Sequence, residues 1–208
     1  MLNKKIVLKT RKIWVLYDLL SILKGKMQKM KIIVAMDSEG GIGKGGTLPW
    51  RLKKDMQYFA AVTKKVEDPA KRNAVLMGRK CWESIPESRR PLSGRLNIVL
   101  SRQLAENITD NLIIVNSLDS ALKMLAEPPF CEQIETVWNI GGAEIYDLAL
   151  RKNLVDEVHV TKIYKNFDAD VHLKSLDFTR MEKLENAGIF DENGLKFEFF
   201  KWRIVEKL

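Results

Sequence analysis

Asp55 is the residue whose position most clearly points to chemistry. Leu52, Met56 and Phe59 recur at the spacing of a helix that packs along one face, and Asp55 falls within that apolar face. Burying an unpaired carboxylate is costly, so the side chain needs a partner. One hypothesis is a ligand: a planar heterocycle with adjacent ring N–H and amino donors would satisfy both oxygens, with Met56 and Phe59 against its faces. The other is a solvated acid in the first turn of a helix, favoured by the helix dipole.

The segment before this helix is rich in glycine. Five glycines lie within seven positions, namely Gly40, Gly41, Gly43, Gly45 and Gly46. Such a backbone is too permissive to favour a helix or a strand. We therefore expect residues 39–50 to form a mobile lid that closes over a ligand.

Three predicted strand ends carry groups that suit a phosphate. Residues 78–81 open a helix with free backbone N–H groups and two cations. Ser101 and Arg102 follow the next strand with a hydroxyl and a planar guanidinium. Gly141 and Gly142 let a pyrophosphate approach the backbone at a third helix start. Open α/β sheets bind ligands at such strand ends, although the alternative for the cations is an ordinary solvated rim.

These groups need a scaffold, and the alternation of β-rich runs with helical patterns predicts one. The pattern is typical of an α/β fold with a doubly wound, mostly parallel central sheet and flanking helices. Asn193-Gly194 predicts a hairpin turn, so the C-terminal strand is expected to be antiparallel. The expected strands are 31–36, 73–77, 96–100, 112–115, 135–140, 157–163 and 196–203, and the expected helices start at Arg51, at Arg79, after Ser117 and after Gly142.

Composition excludes several function classes. The 208 residues contain two cysteines, too few for a disulfide framework, which indicates a reducing compartment. With only His159 and His172, a multi-histidine metal site or a His-based triad is poorly supported, and we expect no metal. No apolar run reaches the roughly 18 residues needed to cross a membrane, so no membrane partner is expected.

The formal net charge of +8 is concentrated at one end of the chain. Residues 1–29 hold eight Lys or Arg and one acid, so they carry +7 and the remainder carries +1. The basic pI therefore does not indicate RNA binding by the domain. Residues 1–29 have three interpretations: a mitochondrial presequence, a secretory signal with a poor cleavage site, or an extension without catalytic importance. We favour the extension, with the functional domain over residues 30–208.

A series of ordered blocks is similar to the dihydrofolate reductase family. The blocks are Ile33-Val34-Ala35, Gly41-Ile42-Gly43-Lys44, Leu48-Pro49-Trp50, Asp55, Met77-Gly78-Arg79, Trp82-Glu83-Ser84-Ile85-Pro86, Pro91-Leu92, Gly94-Arg95, Ser101-Arg102, Ile140-Gly141-Gly142 and Thr161. The resemblance covers residue 30 to the C-terminus and implies a dihydrofolate reductase-like fold. It also implies an NADPH-dependent oxidoreductase of one-carbon metabolism that reduces 7,8-dihydrofolate to tetrahydrofolate, with hydride transfer to C6 and protonation at N5.

The resemblance assigns roles to residues of this chain. Catalytic roles are implied for Asp55, Leu48, Trp50, Tyr146 and Thr161, and Thr161 would bridge to Asp55. Substrate contacts are implied for Ile33, Val34, Ala35, Asp55, Met56, Phe59, Ser84, Ile85, Leu92, Arg95, Ile140 and Thr161. Cofactor contacts are implied for Ala35, Ile42, Gly46, Thr47, Gly78, Arg79, Lys80, Cys81, Leu100, Ser101, Arg102, Asn116, Gly141, Gly142, Ala143, Glu144, Ile145 and Tyr146.

Some of these implied roles are specific. Arg79 and Arg102 would hold the 2′-phosphate of NADPH, and Arg95 the α-carboxylate of the glutamyl tail of folate. The Gly141-Gly142 peptide is cis in the family. The family also implies a cytoplasmic monomer that binds dihydrofolate and antifolates such as methotrexate. A mitochondrial location would follow if residues 1–29 are a presequence.

The chain departs from the family pattern at three positions. Cys81 stands where a threonine usually helps to bind the cofactor, and a thiol is a weaker hydrogen bonder. The acid is Asp55, where vertebrate members have glutamate, and Met56 replaces a phenylalanine common there. Because the carboxylate sits one methylene further back, we expect inhibitor selectivity to differ from that of the vertebrate enzymes.

Two other functions fit part of the pattern. A pyrimidine reductase of riboflavin synthesis would share the fold but would not need Asp55 or Arg95. A non-catalytic RNA-binding protein would instead use the basic residues 1–29.

Overall fold

A nine-stranded sheet forms the scaffold. The computed structural model describes residues 29–205. Its strands are β1 (Met30–Met36), β2 (Gly41–Gly43), β3 (Arg72–Gly78), β4 (Arg95–Leu100), β5 (Asn107–Ile108), β6 (Leu112–Val115), β7 (Ile134–Gly141), β8 (Val155–Ile163), β9 (Val171–His172), β10 (Met181–Glu192) and β11 (Leu195–Ile204). The sheet order is β10-β11-β8-β1-β7-β3-β4-β6-β5, and β2 pairs separately with β9. The strands from β8 to β6 in this order are parallel, whereas β10, β11 and β5 run antiparallel to their neighbours.

Helices cover both faces of the sheet. They are α1 (Lys53–Lys64), α2 (Arg79–Ser84), α3 (Leu118–Leu125), α4 (Phe130–Gln133) and α5 (Ala143–Arg151). Phe59 of α1 and Trp82 of α2 pack on one face with Val75 of β3. Ala121 of α3 and Ala149 of α5 belong to the core cluster of the opposite face. The predicted doubly wound, mostly parallel sheet with an antiparallel C-terminal strand is therefore confirmed.

Asn97, a buried polar residue near the centre of the sheet, shapes the adjoining loop. All six positions of β4 are buried, as expected for a strand covered on both faces. Within it, Asn97 Nδ2 donates to the carbonyl oxygens of Leu92 and Arg95 at 3.0 and 3.1 Å, and Asn97 Oδ1 accepts from the Leu92 N–H at 2.9 Å. These bonds satisfy the buried amide and fix the path of the chain from Leu92 to Arg95.

Most predicted elements agree with the structure to within one or two residues. Ser117 caps α3 as expected, because its hydroxyl accepts from the Ser120 N–H at 3.1 Å. The prediction that the glycine-rich segment contains no strand was wrong, since Gly41–Gly43 forms β2. Close packing explains the glycine there: a Cβ atom on Gly41 would lie 2.4 Å from the Cβ of Ala169.

The predicted N-terminal extension lies outside the described residues, except for Lys29. Within residues 29–205, no helix is long and apolar enough to span a bilayer.

Candidate active site

Asp55 lies in the first turn of α1 with its carboxyl turned inward. It is 6% exposed, and Thr161 of β8 donates a hydrogen bond from Oγ1 to Asp55 Oδ1 at 2.7 Å. Burial raises the pKa of Asp55, although the Thr161 hydrogen bond opposes this shift. The carboxyl therefore holds a proton more readily than a solvated aspartate does, and the solvated interpretation of this residue was wrong.

Apolar residues of β1, of α1 and of the segment after α2 form one cluster on the face of the sheet that α1 covers. Ile33 of β1 is buried in this cluster, with Phe59 and Ile85 partly buried against it, whereas Val34 is buried in the core of the opposite face. Met56 departs from the prediction of a packed position, because it is 43% exposed. It lies about 100° around the helix from Asp55, at the margin of the buried face.

Arg95 is buried beside the far end of α1. It is 5% exposed. Its Nη1 donates to Thr63 Oγ1 at 2.7 Å, and its Nε donates to the Ser93 carbonyl at 3.2 Å. The guanidinium also lies over the Phe59 ring, 5.7 Å from the centroid. Burial lowers the pKa of Arg95, and an anion next to it would compensate for its lost hydration.

The glycine-rich segment is anchored at its base by Asp37. This residue is fully buried. Its Oδ1 accepts from the N–H groups of Glu39 and Gly41 at 2.9 and 2.7 Å, and its Oδ2 accepts from the Phe167 N–H at 3.2 Å. Backbone hydrogen bonds help to lower the pKa of Asp37 against the opposing effect of burial, so the carboxylate stays charged. The sequence prediction missed Asp37, although an acid directly after a buried strand was a signal.

Beyond Asp37, the glycine-rich segment contains both exposed and buried residues. Leu48 is 47% exposed, whereas Trp50 is buried and packs edge-on against Phe167 with ring centroids 5.4 Å apart. Trp50 Nε1 is buried without a hydrogen-bond partner in the described part of the chain. A polar donor of this kind favours a ligand or substrate group nearby.

Two helix N-termini converge at neighbouring strand ends. Gly78 ends β3 and precedes α2, whereas Gly142 follows β7 and precedes α5. The N-cap residues Gly78 and Gly142 have no side chain that could cap the first N–H groups of these helices. A Cβ atom on Gly78 would lie 3.9 Å from the Gly142 nitrogen. The pair of helix starts therefore offers backbone N–H groups to one anionic ligand.

The peptide between Gly141 and Gly142 is cis, as the family resemblance implied. Gly141 has a φ of +102°, and a Cβ atom there would lie 2.6 Å from the Tyr146 ring. Tyr146 itself is buried and donates from its hydroxyl to the Ile33 carbonyl at 2.9 Å. Tyr146 thus ties α5 to β1 between the two halves of the site.

The predicted phosphate-binding side chains lie at the expected strand ends but differ in their availability. Register places Gly78 beside Leu100. Arg79 is paired with Glu83 at 2.5 Å, whereas Lys80 and Arg102 are exposed. The Ser101 oxygen accepts from the N–H groups of two following residues, Gln103 and Leu104, at 3.1 and 2.9 Å. Its hydroxyl proton therefore remains the group that a ligand would use.

The other predicted cofactor contacts occupy varied surroundings. Cys81 Sγ lies 3.5 Å from the Ile140 carbonyl, and burial raises the pKa of its thiol to about 11, so it is not a thiolate at neutral pH. Asn116 Nδ2 donates to Glu106 Oε1 at 3.1 Å. The remaining predicted residues are partly buried or exposed: Ala35, Ile42, Gly46, Thr47, Ser84, Leu92, Ala143, Glu144 and Ile145. Among residues 29–205, no three His, Cys, Asp or Glu side chains are grouped to hold a metal ion.

Comparisons with known proteins agree on one family. A family model described as Dihydrofolate reductase matches residues 29–203. A Caenorhabditis elegans protein named "Putative dihydrofolate reductase" is 71% identical over 187 residues, which cover 86% of this chain and 99% of that protein. A bifunctional dihydrofolate reductase-thymidylate synthase of Arabidopsis thaliana is 45% identical over 81% of this chain and 30% of its own length. The solved structure of Schistosoma mansoni dihydrofolate reductase superimposes with a TM-score of 0.77 and 37% identity, covering 85% of this chain and 98% of that chain.

The burial of Asp55 predicts a pH-dependent stability difference for Asp55→Asn. Since the folded pKa is raised, wild type loses stability as pH rises from the unfolded pKa through the folded pKa, by about 1.4 kcal/mol for each unit of elevation. Asparagine has no such charge and still accepts from Thr161. The variant should therefore be more stable than wild type at pH 8, with the difference shrinking towards pH 4, as measured by urea unfolding. A difference independent of pH would contradict the raised pKa, and the exposed Asp110→Asn serves as the control.

Proposed function

The chain belongs to the dihydrofolate reductase family, and we propose that Asp55 holds the pterin ring of dihydrofolate in its active site. The reaction is the reduction of dihydrofolate to tetrahydrofolate. The single observation that carries the proposed role is a buried carboxyl that accepts a hydrogen bond from Thr161 at 2.7 Å. An amidine-like edge of the pterin has the N–H donors that such a carboxyl lacks in the protein.

Asp55 has a second role in this proposal, which is to promote protonation of N5. Burial raises its pKa, so the carboxyl keeps a proton to higher pH than a solvated aspartate does, and an ordered water is the immediate donor to N5. The Thr161 hydroxyl fixes one carboxyl oxygen and leaves the other for the ring. Ile33, Phe59 and Ile85 exclude bulk water from the ring faces, which strengthens every polar contact inside.

Closure of residues 39–50 completes the site in this proposal. Asp37 holds the base of the segment, so movement is confined to the part beyond Gly43. The tip is tied lightly, since the Gly45 N–H donates to the exposed Asp170 carboxylate at 2.8 Å. Such a segment is suited to open for substrate entry and to exclude water when closed.

We assign NADPH to the strand ends of β7, β3 and β4. The uncapped starts of α2 and α5 fit a pyrophosphate, and the glycines at positions 78 and 142 leave the backbone accessible. Arg79 and Arg102 fit the additional 2′-phosphate. When bound, NADPH supplies the hydride for C6 of the pterin. The protein contributes the position of the two rings, which Tyr146 and the Ile140 carbonyl would face.

Arg95 is assigned to the glutamyl α-carboxylate of the substrate, with Leu92 against the benzoyl ring. A guanidinium has five N–H donors, and Thr63 and Ser93 accept two of them. The presence of both Asp55 and Arg95 favours a folate over the pyrimidine of riboflavin synthesis. The proposal also includes a cytoplasmic monomer, in line with the free thiols of Cys81 and Cys131.

The assay that tests this function follows NADPH absorbance after dihydrofolate is added to the purified protein. We expect turnover that methotrexate blocks. Asp55→Asn should lower kcat/KM by about 10²- to 10⁴-fold because the amide neither stores nor releases the proton. Asp110→Asn should keep wild-type activity. Wild-type rates in Asp55→Asn would remove the proposed role, and absent turnover in the wild type would move the substrate assignment to the pyrimidine alternative.

The phosphate assignment predicts a selective loss of NADPH affinity. Arg79→Gln and Arg102→Gln should each raise the KM for NADPH about tenfold or more, because a hydrogen bond to a charged group is lost. The KM for NADH should not change, since that cofactor has no 2′-phosphate. The exposed Arg89→Gln is the matched control. Equal increases in the KM for NADPH and for NADH would show that the arginines do not bind the 2′-phosphate.

The proposed domain boundary predicts that residues 30–208 are sufficient for catalysis. Deletion of residues 1–29 removes most of the positive charge but none of the residues assigned above. We therefore expect unchanged kcat and KM values for the shortened chain. Loss of RNA affinity together with absent reductase activity in both chains would favour the non-catalytic alternative instead.

A further inference from the structure

A second buried polar network joins α1 to β8, beside the pair formed by Asp55 and Thr161. The Tyr58 hydroxyl lies 2.8 Å from His159 Nδ1, and His159 Nε2 lies 2.8 Å from Glu157 Oε1. Tyr58 is three residues after Asp55 on the helix, and His159 is two residues before Thr161 on the strand. The two contacts therefore connect the same two elements one helical turn apart.

The chemistry of the partners determines which atom carries each proton. Hydrogen bonds and ion pairs, led by the His159 contact and opposed by burial, lower the pKa of Glu157 to about 2, so its carboxylate accepts. His159 Nε2 consequently carries a hydrogen, and in the neutral ring Nδ1 is the acceptor. Burial raises the pKa of Tyr58 to about 12, so its hydroxyl keeps its proton and donates it to Nδ1 of the neutral ring. The chain of donors then runs from Tyr58 through His159 to Glu157.

Packing and charge hold this chain in one arrangement. The Tyr58 ring stacks on Phe199 with centroids 4.2 Å apart, and the His159 ring meets Trp138 edge-on at 4.9 Å. Two cations flank Glu157: Lys31 Nζ at 3.1 Å and Lys201 Nζ at 3.5 Å. Lys201 also approaches Glu185 at 3.8 Å. His159 is 7% exposed, so its hydrogen bonds have little competition from water.

From this geometry we infer that His159 is a positioning residue for Asp55. Without the Tyr58 contact, the Asp55 to Thr161 hydrogen bond would be the one side-chain hydrogen bond described between α1 and β8. The Tyr58 to His159 contact adds a second one a turn along the helix and restricts how α1 rotates against β8. His159 thereby sets how deeply the Asp55 carboxyl is buried and where it meets the substrate. The inference rests on the proposed function of Asp55.

The test compares four single variants of the full chain, and the double variant Tyr58→Phe with His159→Phe, with wild type. Tyr58→Phe removes the hydroxyl but keeps the ring against Phe199. His159→Phe removes both ring nitrogens, whereas His159→Gln retains one donor and one acceptor. Tyr164→Phe is the matched control, because its hydroxyl donates to a different carboxylate, Glu198 Oε2, at 2.7 Å. The readouts are kcat, the KM for each substrate, and the pKa of the Asp55 carboxyl group. This pKa is measured by NMR on ligand-free protein, from the chemical shift of the carboxyl carbon.

We expect Tyr58→Phe and His159→Phe to raise the KM for dihydrofolate about five- to tenfold, because small displacements of a positioned group weaken binding markedly. The KM for NADPH should not change. The Asp55 pKa should fall towards that of a solvated aspartate as the helix loosens. The double variant should be no worse than either single variant, since both break one connection. His159→Gln should recover part of the loss, and Tyr164→Phe should match wild type.

Three outcomes would overturn the inference: an unchanged dihydrofolate KM and Asp55 pKa in both single variants, additive effects in the double variant, or equal effects in Tyr164→Phe. If His159→Phe does not fold, Tyr58→Phe and His159→Gln decide. Failure of the proposed function is distinguishable, because wild type would then not turn over dihydrofolate. The ligand-free Asp55 pKa would still report whether the network positions that carboxyl.

Discussion

The burial of one carboxyl group constrains most of this structure. Asp55 has few partners within the protein, and its only described hydrogen bond comes from Thr161, 106 residues further along the chain. Burial disfavours the charged form of this carboxyl, and the Thr161 hydrogen bond offsets part of that cost. The order of the sheet makes this hydrogen bond possible, since β8 lies next to β1 although more than a hundred residues separate them. The order of the sheet thus brings Thr161 to the helix that carries Asp55.

The two halves of the candidate site adjoin along one edge of the sheet. Thr161 and Ala35, which are paired in register on β8 and β1, belong to the half with the acid. Gly141 and Gly78, at the ends of β7 and β3, belong to the half with the helix N-termini. Since β1 and β7 are neighbours, the two halves of the proposed site adjoin in the sheet. Tyr146 lies at this boundary, where its hydroxyl donates a hydrogen bond to the Ile33 carbonyl.

The sequence predicts the parts of this site that depend on local pattern. The position of Asp55 on an apolar helical face, the Ser117 cap and the Asn193-Gly194 turn all follow from spacing within a few residues, and each is present. Interactions across the fold were harder to predict. Asp37 was missed because its partners include Phe167, 130 residues away, and the pairing of Tyr58 with His159 spans 101 residues. The predicted burial of Met56 was wrong, because helical spacing identifies the middle of a buried helix face more reliably than the residues at its margin. The strand Gly41–Gly43 was missed because backbone pairing with Val171–His172 leaves no trace in side-chain type.

The place of β11 in the sheet has a consequence for how the protein is made. This last strand pairs antiparallel with β8, and Phe199 lies opposite Thr161. The ribosome synthesises the chain from its N-terminus, so α1 is made early, whereas β8 and β11 are translated near the end. Until Leu195–Ile204 has been synthesised, β8 presents an unpaired edge and the hydrophobic cluster of Trp50, Leu52 and Phe197 is incomplete. A stop codon shortly before this strand would therefore be nearly as damaging as one near the start of the gene.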